Sequence, residues 1–226
     1  AVRVIGRIVL RCLRVVHGCG FVHCDISPLN ILLGRVPGGG PADIAPYLID
    51  FGIAEKFPGG KPHGPRYGTM EFTSARTAAG GKRVREDDLE ALGWTMVFLL
   101  FGELPWMERL KEDLSKHSIF EYERKRQEVV ETVRAEKCQL LEDGWNSLGP
   151  PWEKFAEMPE GLDSFMQACR SETKPPEKLD YLSLARFLGE RCGISQDEVE
   201  CEDRREFRDH VLPLLVEGGT CIDRHT

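Results

Sequence analysis

The 226-residue chain lacks most of the features that classify a protein at a glance. Its eight cysteines form no C-x-x-C pair and no dense disulfide framework, so reduced thiols, as in cytosol or nucleus, are the expectation. Basic residues are not in excess: 30 Lys and Arg stand against 37 Asp and Glu, and a net charge of −7 argues against general nucleic-acid binding. No transmembrane run, signal peptide or lipidation motif is visible, so no membrane partner is expected. There is also no G-x-G-x-x-G loop for a nucleotide. The glycines at 38–40 and 59–60 follow no strand that could present one and read as flexible connectors. What is present is 41% hydrophobic residues, enough for a real core in one helical lobe with a tail.

Chemistry concentrates in two short stretches. His23-Cys24-Asp25-Ile26-Ser27-Pro28-Leu29-Asn30 runs into the apolar Ile31-Leu32-Leu33, read as a short buried strand. After a Gly/Pro-rich excursion from Arg35 to Pro46, Tyr47-Leu48-Ile49 delivers Asp50-Phe51-Gly52, with Gly52 available for a tight turn. A hairpin would therefore bring Asp25, Asn30 and Asp50 together: one carboxylate to face a hydroxyl, and an amide and a second carboxylate as oxygen ligands for a hard cation. Either motif alone is weak, because Asp is common in turns for local reasons. Their order and their placement on elements give the pair its weight.

Joined in this way, the motifs resemble the catalytic loop and metal-binding turn of a protein kinase. Gly68-Thr69-Met70-Glu71-Phe72-Thr73-Ser74, the run from Arg83 to Trp94, and Gly102-Glu103-Leu104-Pro105-Trp106 narrow the resemblance to the casein kinase I group, and within it to the vaccinia-related kinases. The resemblance covers about residues 1–190. It implies a mainly α fold: a kinase C-lobe with a small β-hairpin carrying the catalytic and DFG loops. The missing glycine-rich loop leads us to expect no N-lobe, and residues 191–226, beyond the resemblance, read as an extension, a short helix plus tail. The resemblance also implies a serine/threonine kinase that uses ATP and Mg²⁺ on protein substrates. Asp25 would be the base, Asn30 and Asp50 would bind cofactor and metal, Thr69 would lie against the catalytic loop, and His23 and Gly52 would be structural. The competing reading is a pseudokinase or a C-lobe-only interaction scaffold.

Several helical regions can be read from the pattern of apolar residues. Ile5, Ile8, Val9, Cys12, Leu13 and Val16 predict a helix leading into the catalytic loop, and the chain begins almost inside it, which leads us to expect a missing upstream half. The stretch around Leu89, Leu92, Met96, Val97, Leu99 and Leu100 predicts a helix buried on every side. Asp88 at its start is either a helix cap or, as the resemblance implies, a tie to the catalytic loop. Ile119, Tyr122, Val129, Val130 and Val133 predict amphipathic helices, and the regions 162–166 and 181–188 predict the closing helices. The acidic patch 197–203 and the apolar run 211–215 suggest a helix that docks on the lobe or on a partner.

Two positions depart from the common protein-kinase pattern, the first of them in keeping with the vaccinia-related kinases. Cys24 replaces an arginine that pairs with a phosphorylated activation segment, and it reads either as a reactive thiol or as a small, partly buried filler. Ser27 replaces a lysine whose charge neutralises the transferring phosphoryl group. Contacts of that kind are worth about 3 kcal/mol, so Ser27 predicts weakened catalysis, with Lys56 and Arg66 as candidate rescuing cations. Lys56, Lys61, Arg66, Arg76, Lys82, Arg83 and Arg85 make the surrounding stretch basic. It reads either as an ordinary solvated loop or as a preference for acidic or already phosphorylated substrates.

Overall fold

A computed structural model of the chain describes residues 1–40, 43–58, 68–111, 119–169, 179–190 and 203–211. Helices carry most of it: α1 (Val2–Gly18), α2 (Ala75–Ala78), α3 (Arg85–Phe101), α4 (Met107–Leu110), α5 (Ile119–Asp143), α6 (Glu160–Cys169) and α7 (Tyr181–Phe187). Strand β1 (Phe21–Val22) pairs antiparallel with β4 (Glu55–Lys56), and β2 (Ile31–Arg35) with β3 (Ile44–Leu48), where Ile31 faces Leu48 and Arg35 faces Ile44. A mainly helical fold with a small antiparallel sheet agrees with the sequence expectation.

Helix α3 is the axis of the core. From Asp87 to Val97 every side chain is buried, and α3 lies between α1 and α6. Glycines permit the approach: a Cβ on Gly93 would stand 1.9 Å from the Met166 sulfur, and one on Gly6 2.2 Å from the Met96 sulfur. Around this axis Trp94 meets Trp106 edge-on at 4.8 Å, and Phe155 and Phe165 are fully buried. Each such side chain removed from water stabilises by roughly 1.5–3 kcal/mol.

The structure corrects three of the sequence expectations. Helix α3 is not buried to its end, because Leu99 and Leu100 reach the surface in its last turn before Gly102 closes it in a left-handed conformation. The strand after the catalytic loop is not a buried one: Leu32 points outward, since only one face of a two-stranded ribbon has a core to meet. The charged region is one 25-residue helix, α5, with Val130 and Val133 inward and Tyr122 exposed.

The start of the lobe is tied to its far end by charge. On α1, the Arg7 guanidinium donates to Asp203 at 2.8 Å, to Glu206 at 2.7 Å and to the Leu188 carbonyl at 2.7 Å, while Arg11 pairs with Glu190 and Asp203. Phe207, in a π-helical turn Phe207–Val211, is fully buried. The remainder of the acidic patch, residues 197–202, and of the apolar run, residues 212–215, lies outside the described residues.

Candidate active site

The loop between β1 and β2 is built around His23, which is fully buried. Its Nε2 lies 3.0 Å from the Ile49 carbonyl, which can only accept, so Nε2 carries the proton and Nδ1 accepts from the Asp25 amide at 3.3 Å. The ring also stands edge-on to Phe51 at 4.7 Å. One imidazole thus joins the first motif to the second. Asp88 fixes the same loop from below: its carboxylate accepts from the His23 amide at 2.6 Å, the Cys24 amide at 2.9 Å and His17 Nε2 at 2.8 Å. The cap of α3 falls instead to Asp87, which accepts from the Val84 amide at 2.8 Å.

Asp25 is partly exposed, with both carboxylate oxygens engaged. One accepts the Thr69 amide at 2.6 Å, and the other accepts Asn30 Nδ2 at 2.9 Å. The Thr69 approach depends on Gly68, whose φ is +90° and where a Cβ would come within 2.8 Å of the Cys24 carbonyl. The contact from Thr69 to Asp25 runs through its backbone N–H.

Asn30 and Asp50 are brought side by side by the ribbon, because the Ile49 amide donates to the Asn30 carbonyl at 2.9 Å. Asn30 spends its NH₂ on Asp25, at the backbone carbonyl (2.8 Å) and at the carboxylate, which leaves its amide oxygen as the unengaged end. Asp50 is exposed. It is also the left-handed residue of its turn, at φ 62°, in place of the Gly52 that the sequence suggested, and the Gly52 amide donates back to it at 3.1 Å. Among the described residues no three His, Cys, Asp or Glu side chains cluster as a cage. One carboxylate and one amide oxygen fit Mg²⁺, which keeps waters and takes its other ligands from phosphate.

Ser27 and Cys24 are both inward. Ser27 is fully buried, its hydroxyl has no hydrogen-bond partner among the described residues, and as a neutral side chain it supplies no charge to the cleft. Burial, then the nearby Asp88, pushes the Cys24 thiol up to about 12, which makes it the filler and not the nucleophile. Cys24, Asp25, Thr69 and the buried Arg83 line a cavity of about 10 Å³. It has room for about one water and not for a phosphate. Lys56 is exposed on β4, and Arg66 lies outside the described residues.

The chain matches the protein kinase domain family model over residues 1–174. It belongs to the protein kinase family, whose members transfer phosphoryl groups to proteins, generally with ATP and Mg²⁺. No helix among the described residues is long and apolar enough to cross a membrane.

Sequence reading missed Asp87, Glu90 and Lys137 and counted Arg83 toward a basic surface, whereas all four are buried charged residues around the 69–76 loop. Lys137 had a signal. It interrupts the inward stripe Val130, Val133, Leu140 and Leu141 of α5, where a lysine has no reason to stand unless something buried needs it.

Proposed function

We propose that the chain is the substrate-binding and metal-binding part of a serine/threonine protein kinase of the casein kinase I group, most like the vaccinia-related kinases. Asp25 takes the proton of the acceptor hydroxyl, and its two hydrogen bonds, from Thr69 and Asn30, fix where that hydroxyl must sit. Asn30 and Asp50 hold Mg²⁺. Bound there, the ion would neutralise charge on the phosphates of ATP. A glycine-rich loop and a phosphate-pairing lysine, absent from these 226 residues, are expected from a further part of the protein. The observation that supports the reading is the 2.9 Å pairing of Asn30 with Asp25, together with the Ile49–Asn30 backbone bond that sets Asp50 one residue beyond the partner of Asn30.

The uncharged, buried Ser27 favours a second reading, a pseudokinase that keeps the fold as a docking surface. An acidic or phosphorylated acceptor would meet Lys56 and Lys82, which are exposed, whereas Arg76 is paired with Asp87 and Arg83 is buried. The test is radiolabelled γ-phosphoryl transfer from Mg-ATP to casein and to histone by the full-length product of the transcript, with Asp50→Asn as control. Transfer that disappears in the control supports the kinase. Transfer no greater than in the control supports the scaffold.

A further inference from the structure

Residues 69–74 form turns ahead of α2 in which the Thr69 carbonyl takes the Phe72 and Thr73 amides, so the Met70, Glu71 and Thr73 carbonyls and the Ala75 amide need partners from elsewhere. Side chains supply them. Lys137 Nζ donates to the Thr73 carbonyl at 2.6 Å and to the Met70 carbonyl at 3.3 Å, Trp106 Nε1 donates to the Glu71 carbonyl at 2.9 Å, and Glu90 accepts from the Ala75 amide at 2.9 Å. Lys137 is 1% exposed, and its ammonium lies 4.8 Å from the Trp106 ring centre and 5.8 Å from that of Trp94. A lysine in such a place must be held by what it binds, and what it binds is the loop that presents the Thr69 amide to Asp25.

We propose that Lys137 is a positioning residue for phosphoryl transfer: by clamping the Met70 and Thr73 carbonyls from α5, it sets the Thr69 amide against Asp25 and so the place of the acceptor hydroxyl. This rests on the kinase reading given above. Two carbonyls need two N–H donors, so ammonium and neutral amine can both serve. The clamp therefore survives the burial that pushes this lysine down to about 7, with the carboxylates of Glu90 and Glu71 and the Cys138 thiol as its charged neighbours.

The experiment compares Lys137→Met, which keeps most of the apolar stem but removes the N–H donors and the ammonium beside the two indoles, with Lys137→Arg, in the full-length product. Two readouts are taken: kcat and KM for Mg-ATP, and amide exchange across residues 69–75. Lys137→Met is expected to lower kcat about 10²-fold, as a displacement of about 1 Å does, with KM for ATP unchanged and exchange accelerated at 69–75 only. Lys137→Arg is expected to recover most of both. Unchanged kcat and unchanged protection in Lys137→Met would overturn the proposal, as would acceleration spread evenly through α3 and α5. If the unaltered protein transfers no phosphate, the kinase reading fails on its own control, and the exchange arm still decides whether Lys137 holds the loop. Should Lys137→Met not fold, Lys137→Gln, with its shorter reach, carries the same two readouts.

Discussion

On the side of Asp25 that carries Thr69, the carbonyls of Met70, Glu71 and Thr73 and the amide of Ala75 are each taken up by a side chain from α3, α5 or Trp106. Around Asp50 the hairpin stands almost bare: Leu29 is 77% exposed, Leu32 52% and Phe51 49%, with Asp50 open beside them. The first surface is organised from within the chain. The second carries a carboxylate and apolar side chains with nothing over them among the described residues. Under the proposed kinase reading, the acceptor would meet the organised surface and the nucleotide the open one.

Removing the support of the ordered side has the largest expected effect. Asp88→Ala strands the amides of His23 and Cys24 and the His17 ring, all buried, and is expected to cost about 3–5 kcal/mol in urea unfolding. A cost below about 1 kcal/mol would remove the contrast between the two sides. Asp25→Asn can still accept from Thr69 but turns an NH₂ toward Asn30 Nδ2, so it should cost about 1–3 kcal/mol in unfolding and lower kcat by about 10²–10⁴-fold. Ser27→Lys sharpens the comparison by placing an ammonium at a fully buried position beside Asp25. Under the kinase reading, a folded variant whose ammonium reaches the cleft should raise kcat by up to about 10²-fold, and an unchanged rate in a folded variant would mean that position 27 does not serve the transferring group or that another cation already does.

A fourth test uses pH. Burial lowers Lys137 from 10.5 to about 7, so the folded state binds this proton less readily than the unfolded chain does. Its contribution is full above 10.5 and is lost as pH falls through about 7. The stability margin of the unaltered protein over Lys137→Met should therefore grow between pH 7 and about pH 9.5 and stay flat below 7. A margin that shrinks with rising pH would mean the site favours the ammonium. The smallest effect belongs to the bare side: Leu32→Ser should change stability by less than about 0.5 kcal/mol and reduce self-association in sedimentation.

Asp25, Asn30 and Asp50 were legible because their spacing is local and two adjacent strands carry it. The periodicity of α1 and the apolar run of α3 likewise foretold which elements would form the core. Other features depend on distant chain. Whether Asp88 caps a helix or ties down a loop depends on where the His23 amide lies, 65 residues away, and nothing near Asp88 states that. Lys137 acts on carbonyls 64 and 67 residues away, and carbonyls carry no sequence identity. Leu32 was misjudged for a related reason: hydrophobicity marks what seeks burial, and a two-stranded ribbon has only one face against the core.

The pairing of Arg7 with Asp203 spans 196 residues. Helix α1 leaves the ribosome well before the carboxylate that neutralises its buried Arg7, which follows 196 residues later. Until it does, α1 cannot settle on α3 without desolvating an unpaired guanidinium group, an arrangement that costs more than it returns. So long a sequence separation slows folding through the entropy of closing the chain. The lobe is therefore expected to complete its structure only after Asp203 has been synthesised, and ribosome-bound chains stopped ahead of that residue should remain sensitive to protease at α1.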